Sequence, residues 1–173
     1  MRVLILAVGL LAAGQLESAP PMKTGLWEIT SSMTTTFPPG MADVMKKAGK
    51  ISGVPITSVD KVCVTLEQWR KSRERMMDAA PQGCTFSKRD FSGKTLTQSM
   101  SCSFVGGVAL AMDSIATFNP ETLETSGRLT WTYPANVMGG GQSVMDSTSK
   151  GKFISSDCGT VQPGKSLFVP GGK

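Results

Sequence analysis

The chain lacks histidine altogether and has few aromatic or charged residues. Aromatic residues make up 6% of its 173 residues, and charged residues 18%, against roughly 25% charged residues in a typical soluble domain. Histidine is the commonest general base and a frequent zinc ligand, so its absence excludes the usual catalytic triads and the histidine-containing zinc sites. The carboxylates are spread singly, so no paired-carboxylate site is predicted either. We therefore expect a protein that is not an enzyme and that holds no cofactor.

The chain also lacks an apolar run long enough to cross a bilayer, which takes ~20 residues. Its longest run, Val3–Ala13, follows a positively charged start and is itself followed by small residues. This order is typical of a secretory signal that is removed on export. We expect residues 1–19 to be this signal peptide, with cleavage near Gly14 or Ala19.

The excess of basic residues is modest. The net charge of +5 is scattered along the chain, and export argues against contact with nucleic acid, so nucleic-acid binding is not predicted. A mild positive charge instead favours weak attraction to anionic surfaces such as lipid head groups. A solvated helix face would carry the same charges. The candidate contacts, on two predicted helices, are Lys46, Lys47, Arg70, Lys71 and Arg75.

Four cysteines follow the predicted signal, namely Cys63, Cys84, Cys102 and Cys158. They form no C-x-x-C pair, and cysteines in an oxidising compartment pair as disulfides. The segment from Cys84 to Cys102 predicts a β-hairpin with the three-residue loop Ser92–Lys94, in which Phe91 pairs with Thr95. That register places Cys84 opposite Cys102 at a separation suited to a disulfide. We therefore favour Cys84–Cys102, which leaves Cys63–Cys158 as the second bridge.

Alternation of apolar and polar residues dominates the rest of the chain. The clearest examples are residues 25–37, which place Trp27 on the apolar side, and residues 123–133. Such alternation is typical of antiparallel strands with one buried face. In residues 108–115 the alternation changes phase at Asp113-Ser114, which predicts a β-bulge there.

Two helices are predicted between the strands. Met41–Lys50 can place its apolar residues on one face, and Thr65-Leu66-Glu67-Gln68 is a capping box that opens a helix to about Asp78. The residues after Gly159 are rich in proline and glycine, so residues 159–173 are expected to be a flexible tail. The sequence therefore predicts one mainly β domain over residues 20–158. Its expected architecture is a curved antiparallel meander or open barrel of about seven strands, with one or two short helices and two disulfides.

One face of such a sheet must be covered by the chain itself or by something else. Trp27, Trp131 and Tyr133 lie on the predicted inward faces, where aromatic side chains either pack in the core or line a cleft for an apolar ligand. We expect non-enzymatic binding of an apolar or amphiphilic ligand, such as a lipid, or of an envelope protein. A purely structural or interaction domain is one alternative.

Methionine is frequent, with 11 residues in the chain. Thioethers are soft ligands for Cu(I), and copper handling is a task of exported proteins. Methionine also fills irregular hydrophobic cores, which is the simpler interpretation. The residues close enough in sequence to form a metal cluster are Met41, Met45, Met76 and Met77. A methionine-based Cu(I)-handling protein is therefore the other alternative.

The segment Lys23-Thr24-Gly25-Leu26-Trp27-Glu28 resembles the K-x-G-L-W-E opening of a family of small exported bacterial proteins known only as a domain of unknown function. The similarity continues through Val62-Cys63-Val64-Thr65, the hairpin Cys84–Cys102 and the closing Asp157-Cys158, and covers residues 22–158. The resemblance implies an exported β-rich domain with two disulfides, and it implies no activity and no site residues. For a bacterial protein, export places the domain in the periplasm. The chain departs from the family pattern in its longer segment Met41–Pro55.

Overall fold

Eight β-strands and two α-helices make up the described part of the chain. The computed structural model describes residues 20–137 and 139–168, with all side chains except those of Met76, Met77 and residues 166–168. The predicted signal peptide lies outside the described residues. In chain order the elements are β1 (Gly25–Thr36), α1 (Pro39–Lys47), β2 (Pro55–Val64), α2 (Leu66–Met77), β3 (Cys84–Ser92), β4 (Thr95–Ser103), β5 (Ala109–Phe118), β6 (Thr122–Tyr133), β7 (Gly141–Ser155) and β8 (Ser166–Phe168).

The strands form one open antiparallel sheet with the order β3-β4-β5-β6-β7-β1-β2-β8. Strands β3 to β7 follow one another as a meander, and β1 pairs with β7, so that β1 and β2 extend the sheet. The prediction of a mainly β antiparallel fold with short helices and two disulfides is confirmed. Part of the segment predicted as a tail joins the sheet, since β8 pairs with Asp60–Val62 of β2.

The β3–β4 hairpin has a shorter loop than predicted. Its loop is Gly93-Lys94, because Ser92 already pairs with Thr95. Gly93 has a φ of 57°, a left-handed conformation that glycine adopts without steric cost and that the favoured two-residue hairpin loops require. The prediction of a three-residue loop is wrong for this reason.

A β-bulge restores the expected register before the hairpin reaches its cysteines. Ser87 is skipped in the pairing of β3 with β4, so Cys84 lies opposite Cys102 as predicted. The Cys84–Cys102 disulfide joins these two strands, with its Cα atoms 3.9 Å apart. The second disulfide, Cys63–Cys158, joins β2 to the segment that follows β7. Both predicted disulfides are confirmed.

Strand β5 is regular along its whole length. Its pairing is continuous from Ala109 to Thr117 with β4 and to Phe118 with β6, so the predicted bulge at Asp113-Ser114 is wrong. Ser114 lies on the inward face opposite Gly127, while Ile115 points to solvent and is 44% exposed. The phase is kept because the inward neighbours of Ser114 are Gly127, which is small, and Gln98, which is polar, so a serine fits there and the isoleucine stays outside.

The hydrophobic core lies at one end of one face of the sheet, which we call the Trp27 face. Trp27 is fully buried, and its indole Nε1 donates a hydrogen bond to the Lys23 carbonyl oxygen at 3.0 Å. Full burial of a large apolar side chain contributes about 1.5–3 kcal/mol, so this cluster is a major source of stability. The buried side chains of the cluster, which we call the closed end, are Met22, Trp27, Trp69, Leu96 and Phe118.

Helix α2 packs on the Trp27 face. The Thr65 hydroxyl accepts a hydrogen bond from the Gln68 N–H, and the Gln68 side chain accepts one from the Thr65 N–H, so the predicted capping box is confirmed. Trp69 contacts the rings of Phe118 on β5 and Phe91 on β3, with centroids 5.2 and 6.4 Å away. The helix therefore lies over the first strands of the meander. Within residues 20–137 and 139–168, no helix has the length and apolarity to cross a membrane.

Candidate ligand-binding groove

The Trp27 face changes character along its strands. Beyond the closed end, small residues from four strands lie side by side, with Ser149 opposite Ser31 and with Gly127 between Ser114 and Ser147. The hydroxyl oxygens of Ser31 and Ser149 are 2.9 Å apart and share a hydrogen bond. We call these five residues the serine band. Their side chains add little apolar surface, so the hydrophobic core ends at this band.

Beyond the serine band, the same face becomes apolar again. Across successive strands Phe86 pairs with Met100, Met100 with Met112, Met112 with Leu129, and Leu129 with Met145. We call these five residues, one from each strand of the meander, the methionine row. All five are half-buried, whereas the side chains of the closed end are buried. The row therefore leaves apolar surface that another molecule can cover.

A groove of about 440 Å³ lies between α2 and the methionine row. Ligand-binding clefts in proteins typically measure about 300–1,000 Å³, so the groove is large enough for a small ligand. The sheet side of the groove consists of Phe86, Gln98, Met100 and Met112, and the helix side of Ser72, Arg75, Ala79 and Pro81. The lining is thus mainly apolar along the floor, with the amide of Gln98 beside it, and carries a guanidinium group at the wall.

Arg89 holds the end of α2 above the groove floor. Its Nη1 donates a hydrogen bond of 2.6 Å to the carbonyl oxygen of Asp78, the residue that caps the helix. Its guanidinium group also lies over the ring of Phe86, 3.4 Å from the ring centroid. A cation at a helix carboxyl end compensates the unpaired carbonyls and the helix dipole. The contact therefore fixes the helix wall relative to a residue of the floor.

The three aromatic residues predicted to line a ligand site are not brought together. Trp27 is fully buried and packs edge-on against Phe153, with ring centroids 5.8 Å apart. Trp131 stacks on Phe104, with centroids 5.7 Å apart, and Tyr133 follows it on β6. Leu123 on β6 lies close to Trp27 of β1. It precedes Trp131 on the same strand by eight residues, which is about 26 Å along a strand. The structure therefore places Trp27 in the core and the other two at the far end of the sheet.

The predicted basic set is divided between the two helices. Lys46 and Lys47 belong to the last turn of α1, whereas Arg70, Lys71 and Arg75 belong to α2. Within α2, the Lys71 ammonium group donates to the Glu67 carboxylate at 2.6 Å, which lowers the pKa of that carboxyl. Arg75 alone of the set lines the groove.

The predicted methionine cluster is only partly described. Met41 and Met45 lie on α1, and the Met41 sulfur is 3.9 Å from the Ser143 hydroxyl on β7. The side chains of Met76 and Met77 lie outside the described residues. Within the described residues, no group of three or more His, Cys, Asp or Glu side chains could hold a metal ion.

Local sequence patterns did not single out the methionines that the sheet brings together. Met100 and Met112 are 12 positions apart in the chain, yet they are direct partners on β4 and β5. The sequence did contain a signal for the contact, because each of the two methionines falls on the apolar side of an alternating segment. Pairing those segments in the correct register would have predicted the contact.

A depression of about 490 Å³ on the opposite face of the sheet surrounds Ile115. Its charged groups already have partners, since the Ser99 hydroxyl donates to Asp113 at 2.7 Å and Arg128 makes two hydrogen bonds to Asp146. The Arg128 guanidinium lowers the pKa of the Asp146 carboxyl. A ligand would have to displace these pairs, so this depression is a weaker candidate than the groove.

Another depression, of about 590 Å³, lies beside Pro20–Thr24 and Phe153. The chain continues directly from Pro20 into residues 1–19, which lie outside the described range. We assign no ligand to this space for that reason. The groove under α2 is the candidate functional site.

The fold and the groove define a class of protein, namely a single-sheet antiparallel β domain with two disulfides and a helix across a partly open apolar face. The chain belongs to the family described as "Protein of unknown function (DUF3617)", whose profile matches residues 22–158. That range includes β1 to β7, both helices and all four cysteines. Comparison with curated proteins and with solved structures finds no match.

Proposed function

We propose that the protein is an exported periplasmic domain that binds an amphiphilic ligand in the groove under α2. The apolar part of the ligand rests on Phe86, Met100 and Met112, and an anionic group lies beside Arg75. The observation that carries the proposal is the groove itself, with its apolar floor and its cationic wall. The pairing of all four cysteines supports export, since disulfides persist in oxidising compartments.

Methionine suits the floor of such a site. Its unbranched thioether side chain is flexible and polarizable, so neighbouring methionines can adapt to apolar groups of different shapes. Met100 and Met112 are direct cross-strand partners and form a continuous surface. Covering apolar surface contributes roughly 25 cal/mol per Å², which is the driving force for binding here.

The groove supports binding without catalysis. Its described lining offers a hydroxyl group on Ser72, an amide on Gln98 and a guanidinium on Arg75, and it includes no carboxylate. The hydroxyl and guanidinium groups can orient a polar head group by hydrogen bonding. Catalysis by a general acid or base near neutral pH requires a titratable group in reach of the ligand. We propose that the protein instead acts by sequestering its ligand unchanged.

The first test is native mass spectrometry of the protein purified from its compartment without refolding. We expect a retained adduct with the mass of a lipid or another amphiphile. Calorimetric titration with dodecanoate, an anionic amphiphile, is expected to show saturable binding at one site. The absence of both the adduct and the saturable binding would refute the proposal.

A matched pair of variants on β5 locates the binding site. Met112→Ser changes the groove floor, whereas Ile115→Ser removes an exposed apolar side chain from the opposite face of the same strand. We expect Met112→Ser to weaken dodecanoate binding roughly tenfold, from a loss on the order of 1–2 kcal/mol of apolar contact. Ile115→Ser should stay within about twofold of the wild type. Equal losses in the two variants would contradict a site in the groove.

The role of Arg75 is tested by changing the ligand as well as the protein. Arg75→Gln is expected to weaken binding of dodecanoate up to about fivefold, because the ion pair at the groove edge is partly solvated. Binding of the uncharged dodecanol should be unaffected by this substitution. A similar loss for both compounds would mean that Arg75 contributes packing rather than charge recognition.

The copper hypothesis makes a different prediction in the same experiment. Met100 and Met112 are adjacent, but Leu129 separates them from Met145, which places the third thioether of the row about 10 Å from Met112 across two strands. A Cu(I) site of three converging thioethers is therefore not formed by the row itself. A copper-mass adduct in place of the amphiphile would favour the methionine-based alternative over ligand binding.

A further inference from the structure

An exposed apolar surface lies along α1, the start of β2 and the connection between them. Four aliphatic side chains within thirteen consecutive positions are between 48% and 62% exposed, namely Val44 on α1, Ile51 and Val54 in the connection, and Ile56 on β2. Single exposed apolar residues are common on protein surfaces and carry no meaning by themselves. Four in one short segment form a local concentration that needs an explanation.

The connection between α1 and β2 is held in place by backbone hydrogen bonds. The Gly53 N–H donates to the Thr35 carbonyl oxygen at 2.8 Å, and the Phe37 N–H donates to the Ser52 hydroxyl at 3.0 Å. Both contacts attach the connection to the end of β1. The aliphatic side chains are therefore presented at a fixed place on the fold, where they project to solvent.

Three lysines accompany the aliphatic residues. Lys46, Lys47 and Lys50 are exposed, and within the described part of the chain none of them has an ion pair. Asp43 is the single acidic residue between positions 39 and 56. The segment is therefore both cationic and apolar at its surface.

We infer that this surface, formed by Val44, Lys46, Lys47, Lys50, Ile51, Val54 and Ile56, docks the protein onto an anionic lipid bilayer. The aliphatic side chains enter the boundary between head groups and acyl chains, and the ammonium groups contact lipid phosphates. Segments that combine lysines with apolar side chains are typical of interfacial membrane binding. The centre of a protein–protein interface, by contrast, is depleted in lysine and enriched in aromatic residues. The charge and the composition of the segment therefore favour a bilayer over a protein partner.

The inference is independent of the groove, because none of its residues lines that site. A protein that docks on a bilayer need not bind an amphiphile, and the reverse also holds. The two proposals are therefore tested separately and can fail separately.

The experiment is co-sedimentation of the purified full chain with vesicles of phosphatidylglycerol and phosphatidylcholine, compared with vesicles of phosphatidylcholine alone. We expect binding to the anionic vesicles that weakens as salt is added. The variant Lys46→Gln/Lys47→Gln/Lys50→Gln should bind on the order of 100-fold more weakly, at about fivefold for each lysine. The control Lys94→Gln/Lys150→Gln/Lys152→Gln removes the same charge elsewhere and should stay within about threefold of the wild type.

A second pair of variants separates insertion from simple charge attraction. Ile51→Ser/Val54→Ser/Ile56→Ser leaves the charge unchanged and is expected to weaken vesicle binding roughly tenfold or more. Ile115→Ser/Ile154→Ser, which removes exposed isoleucines elsewhere on the sheet, should have no such effect. Absence of binding to anionic vesicles, or equal losses in the surface variants and their controls, would overturn the inference. Self-association abolished by the serine variant would assign the surface to a second copy of the chain and would overturn it as well.

Discussion

The closed end and the methionine row lie on the same face of the sheet, yet they differ in burial. Strand β5 contributes Phe118 to the closed end and Met112 to the row, and Phe118 is buried while Met112 is half-buried. The difference arises from what lies above each zone. Trp69 of α2 closes one end by packing on two phenylalanine rings, whereas the later part of the helix stands over the row and leaves a groove. Under the proposed function, stability and ligand binding belong to different ends of one face.

Removing the disulfides one at a time is expected to give the largest effects on the free energy of unfolding and to distinguish the two ends of the face. The Cys63–Cys158 bridge closes a loop of 95 residues, and the Cys84–Cys102 bridge closes one of 18. In the chain-entropy model, Cys63→Ser/Cys158→Ser should lower the free energy of unfolding by about 4–5 kcal/mol, and Cys84→Ser/Cys102→Ser by about 3 kcal/mol. Urea denaturation of the two double variants measures both values. A larger loss in the hairpin variant would contradict the entropic account.

Truncation at each end should affect different properties. Trp27→Ala is expected to lower the free energy of unfolding by about 3–5 kcal/mol, because it leaves a cavity in the closed end. Met112→Ala should cost roughly 1–2 kcal/mol, since this side chain is only half-buried, but it should weaken dodecanoate binding where a folded Trp27 variant does not. Denaturation and calorimetric titration of both variants provide the comparison. If Met112→Ala were as destabilising as Trp27→Ala, the row would be core and the contrast between the two ends would fail.

Two glycines on the Trp27 face offer a finer test of the same contrast. A Cβ at Gly151 would lie 3.0 Å from the Leu123 Cβ and 3.5 Å from the Trp27 ring, whereas a Cβ at Gly127 in the serine band would meet atoms no closer than 3.4 Å. Gly151→Ala should therefore destabilise the protein by about 1–3 kcal/mol through overpacking. Gly127→Ala should be close to neutral. Thermal melts of the two variants measure the difference, and equal destabilisation would show that the face is packed uniformly.

The smallest expected effect concerns pH at the closed end. The Lys23 ammonium group donates to the Glu121 carboxylate and lowers the pKa of that carboxyl. A carboxyl with a lowered folded-state pKa stabilises the fold above its unfolded pKa of about 4.3, and the contribution is lost as pH falls through the folded value. Glu121→Gln should therefore flatten the dependence of stability on pH below about pH 5. The stability of the wild type and of the variant is measured by denaturation across that range. Parallel curves of stability against pH would argue against any contribution from the pair.

Local patterns predicted the elements of this fold well, because each depends on neighbouring residues. The capping box at Thr65 follows from four adjacent positions. The Cys84–Cys102 pairing was predicted correctly although the predicted loop was one residue too long, because the bulge at Ser87 compensates for the shorter loop. The predicted bulge at Asp113-Ser114 was wrong because the alternation rule assumes that an inward position is apolar. In this sheet the inward neighbour of Ser114 is Gly127, and the small residues of the serine band allow a polar side chain there.

The candidate site could not be predicted in the same way. The groove depends on the register of β3 with β4 and of β4 with β5, and on the placement of α2 above them. That placement is set by the contact of Trp69 with Phe118, which are 49 positions apart in the chain. The aromatic residues chosen from the sequence were reasonable candidates by residue type, but Trp27 is in the core and Trp131 is at the other end of β6. Residue type and alternation do not report which end of a strand is covered.

The neighbouring positions of the serine band and the methionine row have a consequence for how a bound molecule would be oriented. The row runs perpendicular to the strands, one residue per strand, and the hydroxyl groups of the band run parallel to it on one side. The boundary between the apolar surface and the surface that carries hydroxyl groups therefore crosses the strands at a right angle. An elongated amphiphile resting on this face would have its long axis across the strands, one flank in contact with thioethers and the other with serine hydroxyls. Continued past Met145, that axis reaches Thr35, whose carbonyl oxygen accepts a hydrogen bond from Gly53 in the connection that carries the exposed lysine-bearing surface.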